Sequence, residues 1–450
     1  MTTPRRPATP GTPGSPASVD SRGAPRGRAL ADCTVTLGVS GGIAAYKTTE
    51  LVREMRRMGL GVQVVMTEAA TLLVSPHALA TLSERPIVTH LFHPALVQAD
   101  REPSASISHI QLSRTADLFL IAPATANLLA KVAAGVADDV LTTAIVASSI
   151  PVLFAPAMNV LMWKNPIVQN NVARLRDAGY HFVGPEAGDL ACGEAGAGRM
   201  SSPHQILDAA LPLILERTGG RRVLITAGPT EEPVDAVRVL SNRSSGKMGV
   251  ALAAAARNRG HQVTLVAGPL RCPVPPGVRH VPVTTAAEML KAVDDHEARA
   301  EIMIMAAAVA DYRPRTEASG KLPSKRDELV LDLEPTPDIL ATVGPRRRAR
   351  AAMTVGFALE VGAGGEARAR KKLDAKGLDM IVLNDATRPD SAFGADTTRV
   401  ALLVAGGEFE PLPVQTKAAA ADRILERAEA ILERAGATLE QPVPTTDEDR

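Results

Sequence analysis

The chain has 450 residues, a length that corresponds to two or three domains. Apolar residues make up 45% and aromatic residues only 2%, so the cores have to be built from Ala, Val, Leu and Ile. A formal net charge of +1 gives no reason to expect nucleic acid or an anionic membrane as a partner, and the apolar stretches are shorter than the ~18–20 residues of a membrane-spanning helix.

The cysteines indicate the redox environment. Cys33, Cys192 and Cys272 are far apart in sequence and form no CxxC pair, which argues against a disulfide framework or a zinc site. A reducing cytoplasm is therefore the expected location.

Composition divides the chain into five segments. Residues 1–31 are a run of Pro, Thr, Gly, Ser and Arg that predicts a disordered tail without a secretory signal, and residues 437–450 predict a second flexible tail. Between them we predict a first domain at 32–202, a linker helix at 203–220 and a second domain at 221–436.

Short apolar, β-branched runs alternate with helical patterns through both domains. In the first domain the predicted strands are 34–39, 62–66, 118–122 and 152–155, with a helix over 43–58. In the second domain they are 222–226, 263–266, 301–306, 354–358 and 380–383, with a helix over 246–259. This alternation predicts an α/β protein with two open, mostly parallel, doubly wound sheets. Ligands bind such sheets beyond the carboxyl ends of the strands, so residues that follow strands are the functional candidates.

Small residues follow the first predicted strand, in the run Gly-Val-Ser-Gly-Gly-Ile at 38–43. They would let the backbone approach a ligand, and the start of the next helix would favour a phosphate. The alternatives are an ordinary tight turn and a nucleophile elbow, although an elbow so early in the sheet would lack the strands that supply its oxyanion hole. Two later strand ends, at 123–127 and 156–159, each combine Pro, a small residue and Asn; the alternative for Asn127 and Asn159 is helix capping.

Together with Met162 and Trp163, these segments resemble the flavoproteins that decarboxylate a cysteine carboxylate, and above all the phosphopantothenoylcysteine decarboxylases, over about 34–200. The segment 109–112 resembles the catalytic histidine segment of that family, and 191–200 resembles its substrate-covering flap. The resemblance implies a flavodoxin-like flavoprotein with FMN as cofactor. The implied FMN-binding residues are Ser40, Gly41, Gly42, Ile43, Thr67, Pro123, Ala124 and Thr125.

The chemistry of this family explains its need for a flavin. Direct loss of CO2 from the substrate would leave an unstabilised carbanion, whereas oxidation of the adjacent CH2–SH to a thioaldehyde gives the electrons an acceptor. The resemblance implies that His109 serves the decarboxylation, that Asn159 holds the substrate carboxylate and that Cys192 donates the final proton. The alternatives are a surface or capping histidine and a small buried cysteine.

In the second domain, residues 226–230 follow the first strand, and 238–249 lead into a helix whose start could bind an anion. Ser-Ser-Gly-Lys at 244–247 suggests a phosphate-binding Walker loop, but Ser241 stands where that motif needs Gly. This segment, with 306–312, 337–340, 356–360 and 384–385, instead resembles the bacterial phosphopantothenate–cysteine ligases over about 222–430. The resemblance implies a Rossmann-like domain that uses CTP and Mg²⁺ to convert 4′-phosphopantothenate into an acyl cytidylate, which the amine of L-cysteine then attacks.

The same resemblance implies roles for individual residues of the second domain. Lys321 would offset charge in the first step, while Asn242, with Arg238 nearby, would stabilise the acyl cytidylate. Asp311 would contact the nucleotide or its metal. The implied CTP-binding residues are Asp311, Lys321, Pro337, Asp338, Ile339, Leu340, Phe357, Lys372 and Lys376. Lys372 and Lys376 are i,i+4 on one helix face; the alternative for them is a solvated basic face, and for Lys321 a surface loop lysine.

The chain departs from the ligase pattern in two places. Leu, Pro and Ser follow Lys321 where the family has a Lys-rich run, so that Lys325 would have to replace one of the missing lysines. Thr336 stands before Pro337 where the family has Asn. These differences concern individual phosphate contacts rather than the reaction.

Two other functional classes are compatible with parts of the sequence. A non-catalytic flavin-binding regulator would need neither Cys192 nor a ligase-like half. A flavin–nicotinamide oxidoreductase would need GxGxxG after the first strand of the second domain, which is absent there. The resemblance also implies a homo-oligomer with trimeric decarboxylase contacts and dimeric ligase contacts.

Overall fold

The computed structural model describes residues 27–91, 112, 115–189, 195–322, 329–350, 352–360, 364–385 and 395–439. Each half of the chain forms one open α/β sheet with helices on both faces, which confirms the predicted fold class. Among the described residues, no helix combines the length and the apolar character needed to cross a membrane.

The sheet of the first half has five parallel strands in the order β2-β1-β3-β4-β5. Its strands are β1 Thr34–Val39, β2 Gly61–Met66, β3 Leu118–Ala124, β4 Val152–Pro156 and β5 His181–Phe182. The helices around it are α1 Thr48–Arg57, α2 Glu68–Thr71, α3 Pro76–Ser83, α4 Ala126–Ala133, α5 Val140–Val146, α6 Val160–Lys164, α7 Pro166–Asp177 and α8 Pro203–Leu215. This strand order is the flavodoxin-like order, in which ligands bind where it reverses, between β1 and β3.

Both faces of this sheet are buried, which is why its strands read as nearly continuous apolar runs. Leu37 and Leu120 belong to the core on one face, and Phe119 and Ile121 belong to the core on the other. The predicted helix over 43–58 starts as a 3-10 helix, Ile43–Lys47, before α1 begins.

Two predicted boundaries of the first half shift. Leu30 lies in a short 3-10 helix, Leu30–Asp32, and is fully buried in the core, so the end of the predicted tail at 27–31 belongs to the folded domain. The predicted linker helix corresponds to α8, but its apolar face, including Leu207 and Leu211, packs into the same core. These apolar contacts make α8 part of the first half.

A hairpin of β6 Glu186–Asp189 and β7 Ala195–Arg199 crosses the end of β4. The Met158 amide donates to the Gly198 carbonyl at 3.0 Å. A Cβ on Gly198 would lie 2.3 Å from the Met158 carbonyl oxygen, so glycine allows this close approach. Strand β7 lies within the segment predicted as the flap, of which residues 191–194 are outside the described residues.

The second half contains an eight-stranded sheet in the order β12-β11-β8-β13-β16-β17-β19-β20. Its strands are β8 Arg222–Ala227, β11 Gln262–Ala267, β12 Arg279–Pro282, β13 Ile302–Met305, β16 Met353–Glu360, β17 Met380–Asp385, β19 Val400–Val404 and β20 Phe409–Pro411. Its helices are α9 Lys247–Asn258, α10 Ala286–Glu297, α11 Ile339–Ala349, α12 Gly365–Lys376 and α13 Lys417–Leu439. The first six strands are parallel in the Rossmann order, and β19 and β20 add an antiparallel edge. Helix α13 runs to Leu439, beyond the predicted start of the tail at 437.

Two smaller hairpins leave the carboxyl edge of this sheet. One pairs β9 Glu231–Pro233 with β10 Val239–Ser241, and the other pairs β14 Tyr312–Pro314 with β15 Leu333–Pro335. We call residues 231–241, 312–322 and 329–335 the arm. A further short pair, β18 Thr397–Thr398 and β21 Gln415–Thr416, precedes α13.

Candidate active sites

The first cavity has a volume of about 1000 Å³ and opens at the carboxyl ends of β1, β3 and β4, where the strand order reverses. The predicted site residues that line it are Ser40, Gly41, Gly42, Ile43, Thr67, Thr125 and Asn159. His109 and Cys192 lie outside the described residues; in sequence, Cys192 falls between β6 and β7.

Ser40 joins the turns that follow β1 and β3. Its hydroxyl donates to the Pro123 carbonyl at 2.7 Å and accepts from the Thr125 amide at 3.1 Å. Ser40 is 2% exposed and its proton is directed at a carbonyl, which is unlike an activated nucleophile in an elbow. Pro123 and Ala124 belong to β3 and are not among the residues that line the cavity, so Pro123 contributes through its carbonyl.

The two glycines bring the backbone to the cavity surface. A Cβ on Gly41 would lie 2.4 Å from the Cβ of Ala69, so α2 can approach only a glycine there. A Cβ on Gly42 would lie 3.2 Å from Cγ2 of Thr125, which is tight but less severe. Thr125 caps α4 by accepting from the Leu128 amide, so the amide-rich start of that helix lies at the cavity.

The Asn residues differ in their structural roles. Thr125 rather than Asn127 caps α4, so the capping alternative for Asn127 is wrong; Asn127 lies at the second helical position and lines the cavity. Asn159 does cap α6, since its side-chain oxygen accepts from the Leu161 amide at 2.7 Å, and it lines the cavity as well.

Three cationic side chains to which the sequence analysis assigned no role, Lys47, Lys131 and Arg199, also line this cavity. The Lys47 ammonium donates to the Met200 carbonyl at 3.3 Å, and burial, together with the nearby charge of Arg199, lowers the pKa of Lys47. Arg199 lies on β7. Its only sequence signal was its place at the end of the predicted flap.

The second cavity, of about 560 Å³, lies at the carboxyl ends of β13, β16 and β17. It brings together predicted residues from five separate segments of the chain. They are Asn242, Asp311, Pro337, Asp338, Ile339, Leu340, Phe357, Lys372 and Lys376. Asn384, from the motif 384–385, also lines it.

The loop that carries Asp311 is pinned to the loop after β8. The Ala308 amide donates to the Gly228 carbonyl at 2.8 Å, and the Ala310 amide donates to the Thr230 hydroxyl at 3.0 Å. Gly228 has φ +74°, a left-handed conformation that favours glycine. Asn242 adds to this arrangement because its amide nitrogen donates to the carbonyls of the same loop, at 3.1 Å and 3.0 Å.

The lysines of α12 face the cavity. The Lys372 ammonium donates to the Phe357 carbonyl at 2.9 Å, and the Lys376 ammonium lies 3.0 Å from a carboxylate oxygen of Asp338. Burial, reinforced by the charge of Lys376, lowers the pKa of Lys372. Burial would raise the pKa of Asp338, but its hydrogen bonds to the Ala341 amide and to Lys376 outweigh this effect and lower it.

Lys247 and Lys417 also line the second cavity, and the sequence analysis assigned them no role. The Lys247 ammonium lies 2.6 Å from the Asp396 carboxylate, and burial, together with Lys247, lowers the pKa of Lys417. Lys247 belongs to the Ser-Ser-Gly-Lys segment that failed the Walker criterion. Although its loop does not match a Walker motif, the Lys247 side chain lines a cavity at the carboxyl ends of the strands.

Arg238 and Lys321 do not line this cavity. Both lie on the arm, and Lys321 is exposed. Thr336, at one departure from the ligase pattern, donates from its hydroxyl to the Ala310 carbonyl at 2.5 Å and from its amide to the Asp311 carbonyl at 3.0 Å. Lys325 lies outside the described residues.

Two family models together match most of the chain. The model "Flavoprotein" matches residues 24–215, and the model "DNA/pantothenate metabolism flavoprotein C-terminal domain" matches residues 218–432. Each match coincides with one of the two sheets and its cavity.

Among solved structures, the chain is 40% identical to the C-terminal domain of a coenzyme A biosynthesis bifunctional protein CoaBC, covering 48% of this chain and 97% of that one, with a TM-score of 0.41. It is 30% identical to a mutant PPC decarboxylase complexed with pantothenoylaminoethenethiol, covering 39% and 94%, with a TM-score of 0.35.

Curated relatives match nearly end to end. The coenzyme A biosynthesis bifunctional protein CoaBC of Vibrio cholerae is 44% identical over 404 residues, which cover 88% of this chain and 98% of that protein. The CoaBC proteins of Escherichia coli and Bacillus subtilis are each 42% identical and are covered to 97% and 95% of their lengths. The chain therefore belongs to the CoaBC family of bifunctional coenzyme A biosynthesis proteins.

Proposed function

We propose that the chain catalyses two successive steps of coenzyme A biosynthesis, one at each cavity. The second half couples L-cysteine to 4′-phosphopantothenate with CTP, and the first half decarboxylates the resulting 4′-phosphopantothenoylcysteine to 4′-phosphopantetheine. The observation that supports this proposal best is that each sheet collects its own set of family motifs around one strand-end cavity. The reducing cytoplasm suits a reaction whose substrate and product are thiols.

At the ligase site, the residues on the cavity wall suit a nucleotide triphosphate. Lys372 and Lys376 supply positive charge from one helix face, and Phe357 offers an aromatic ring to the nucleotide. In this proposal Asn242, whose amide nitrogen donates to two backbone carbonyls, stabilises the acyl cytidylate while the amine attacks. Lys321 and Arg238 act only after the arm approaches the cavity, either by moving or from a second copy of the chain.

Asp311 is the residue that we assign to Mg²⁺. The described residues contain no cluster of three or more His, Cys, Asp or Glu side chains that could hold a metal by themselves. Mg²⁺ commonly keeps several waters and binds through one or two carboxylates plus substrate phosphates, so a single carboxylate beside the triphosphate fits this ion.

The first cavity fits FMN in size and in chemistry. Gly41 and Gly42 leave room for the flavin phosphate near backbone amides, and Ile43, Met158 and Met162 offer apolar surface to a ring system. When bound, FMN supplies the oxidation of the substrate's CH2–SH that makes loss of CO2 feasible. In this proposal Asn159 orients the substrate carboxylate, His109 serves the decarboxylation, and Cys192 would donate the proton that accompanies reduction to the saturated thiol product.

We further propose that the chain assembles through both halves, with trimeric contacts in the first and dimeric contacts in the second. Apolar side chains lie exposed beside the flavin cavity, among them Ile43 at 65% and Tyr46 at 62%, and Ile167 is 71% exposed on the adjoining helix. The arm exposes another group, which includes Val330 at 78% and Val237 at 66%. Contiguous apolar patches mark protein–protein contacts, and these exposed side chains are the ones that we assign to them. A fully active monomer in a mass measurement would refute both contacts.

The ligase roles are tested without cysteine. The chain is mixed with CTP, Mg²⁺ and 4′-phosphopantothenate, and the acyl cytidylate is sought by mass spectrometry. Lys321→Gln should fail to form the intermediate because the charge on the departing pyrophosphate is not offset. Asn242→Asp should form it but pass it to cysteine poorly. Normal product from both variants would show that neither residue belongs to the site.

Two assays on the unmodified chain separate this function from the alternatives. A visible absorption scan detects the flavin, and pyrophosphate release measures the CTP-dependent step. A flavin-binding regulator would give the first signal without the second, and a nicotinamide-dependent oxidoreductase would oxidise NADPH without using CTP.

A further inference from the structure

Asp235 is a buried carboxylate in the first hairpin of the arm. It lies in the turn between β9 and β10, is 3% exposed, and is assigned no role by the family motifs quoted above. A buried carboxylate is costly unless hydrogen bonds or an opposite charge compensate for its desolvation.

Two donors come from the same turn. One carboxylate oxygen of Asp235 accepts from the Val237 amide at 2.8 Å and from the Arg238 amide at 2.7 Å. The other oxygen lies 3.4 Å from the Arg238 guanidinium. The Arg238 carbonyl in turn accepts from the Val234 amide at 2.8 Å, which closes the turn. Both the backbone and the side chain of Arg238 are thus held by Asp235.

The third donor comes from a distant part of the chain. The Leu322 amide donates to the second carboxylate oxygen of Asp235 at 3.0 Å, and Leu322 directly follows Lys321. The Ala318 amide adds a bond to the Val234 carbonyl at 3.3 Å. Burial would raise the pKa of Asp235, but the three amide donors and Arg238 outweigh this effect and lower it, so the carboxylate stays ionised at neutral pH. One anion therefore connects the turn of Arg238 with the segment of Lys321.

We propose that Asp235 is a positioning residue of the ligase, which joins Arg238 and Lys321 into one unit that approaches CTP and the acyl cytidylate together. This inference rests on the proposed roles of those two residues. Asp235 itself contacts no substrate in this arrangement. Because the lysines of the cavity bind CTP separately from the arm, loss of the connection should lower kcat and leave the KM for CTP nearly unchanged.

The test uses the full chain with Asp235→Asn, whose amide keeps the size of the side chain but replaces one acceptor oxygen by a donor. The ligase kcat should fall roughly ten- to hundredfold, since charge-assisted hydrogen bonds to the anion are lost. The matched control is Asp332→Asn, which removes an exposed carboxylate of the same arm that is paired with Arg315. That variant should retain the wild-type kcat. A wild-type kcat in Asp235→Asn, or an equal loss in the control, would overturn the proposal.

A double-mutant cycle separates this proposal from the proposed function. Because Asp235 also holds Arg238, the variant with both Asp235→Asn and Lys321→Gln should lose less activity than the product of the two single losses. If the double variant instead lost the full product of the two single losses in kcat, Asp235 and Lys321 would act independently and the proposed unit would be refuted. If Lys321→Gln alone kept the wild-type rate, the role of Lys321 would fail, whereas faster hydrogen exchange at the Leu322 amide in Asp235→Asn would still establish the structural link. Should Asp235→Asn not fold, coupling between Arg238→Gln and Lys321→Gln decides the question, and additive losses there would refute the unit.

Discussion

The two cavities occupy the same position in two open sheets but present different groups to their ligands. The first is bordered by glycines and apolar side chains, with Lys47 and Arg199 on its wall. The second is bordered by Lys247, Lys372, Lys376 and Lys417, with Asp311 beside them. A wall that admits an apolar ring suits a bound cofactor, whereas a wall of lysines suits a triphosphate. The strand order fixes where a ligand binds, and the loops decide which ligand it is.

The cavities also differ in what completes them. Beside the first lies the β6–β7 hairpin, held to the end of β4 by a backbone hydrogen bond from Met158 to Gly198. Beside the second lies the arm, whose candidate catalytic residues are tied to each other rather than to the cavity wall. The β6–β7 hairpin therefore contacts the first cavity directly, whereas the roles proposed for Arg238 and Lys321 require the arm to approach the second.

The largest effect that we expect comes from a substitution that adds steric bulk to the first cavity alone. Gly41→Ala places a Cβ 2.4 Å from that of Ala69, so the turn after β1 must shift away from the phosphate position. We expect FMN affinity and decarboxylation to fall by roughly a hundredfold, about 2.7 kcal/mol, while the ligase rate stays unchanged. Flavin absorption after gel filtration and both activities would be measured on the same preparation.

The matched control for this variant is Gly42→Ala. Its Cβ would lie 3.2 Å from a methyl carbon of Thr125, a contact that small movements relieve, so the loss of FMN affinity should be much smaller. Equal flavin retention in the two variants would show that the close approach of Ala69 does not shape the flavin site.

The second-largest effect that we expect comes from removing a positive charge from the wall of the ligase cavity. Lys372→Ala removes a half-buried ammonium, and we expect kcat/KM for CTP to fall roughly ten- to hundredfold because a charge-assisted contact is worth about 1.5–3 kcal/mol. Lys371→Ala, an exposed lysine on the same helix, should have little effect. Pyrophosphate release measures both variants. An equal loss of kcat/KM in the two variants would mean that CTP responds to the overall positive charge of α12 rather than to a contact with Lys372.

Most of the fold, and the strand-end positions of many candidate site residues, could be predicted from sequence. Apolar runs identify the strands, and parallel strands bring their carboxyl ends to one edge. The turn at Ser40 and the distant segment at Thr125 could therefore be expected to meet, and they do so through a hydrogen bond. Likewise, the i,i+4 spacing of Lys372 and Lys376 is sufficient to place both on one face.

The remainder depends on contacts that local patterns do not encode. Leu30 follows a Pro- and Gly-rich run, and only its burial in the core shows that it belongs to the domain. Lys417 reaches the cavity from the start of the last helix, and Lys321 lies on the arm because of tertiary hydrogen bonds. The direction of a long side chain, and the distance of a loop from the sheet edge, are set by partners far away in the sequence.

A third, smaller effect concerns pH. Burial and the charge of Lys376 lower the pKa of Lys372 from the ordinary lysine value of 10.5. As pH rises, Lys372 therefore loses its positive charge at a lower pH than an ordinary lysine does. KM for CTP should therefore increase by a few fold at alkaline pH, since one phosphate contact loses its charge. Lys372→Arg keeps its charge and should move this increase to higher pH. Identical profiles for the two proteins would show that another group titrates. Decarboxylation, measured in parallel, should not follow this profile.

The smallest expected effect on activity comes from an ion network at the opposite end of the second sheet. Glu429 lies 2.6 Å from the Arg259 guanidinium and 2.7 Å from Nε2 of His261, whose Nδ1 accepts from the Arg221 amide. Burial would raise the pKa of Glu429, but these partners lower it from 4.5 to about 2. A folded-state pKa below the unfolded value stabilises the fold above the unfolded pKa, and this contribution is lost as pH falls toward the folded value.

Glu429→Gln should therefore destabilise the second half by roughly 2–3 kcal/mol at neutral pH and leave both activities intact at 25 °C. The melting temperature of the second half should fall by roughly 5–10 °C, with the flavin-retaining first half unaffected. The difference between variant and wild type should shrink as pH decreases from 4.5 toward 2, because the unfolded wild-type chain then binds a proton that the folded carboxylate does not. A difference in stability that does not vary with pH would mean that packing of Glu429, rather than its charge, fastens the last helix to the sheet.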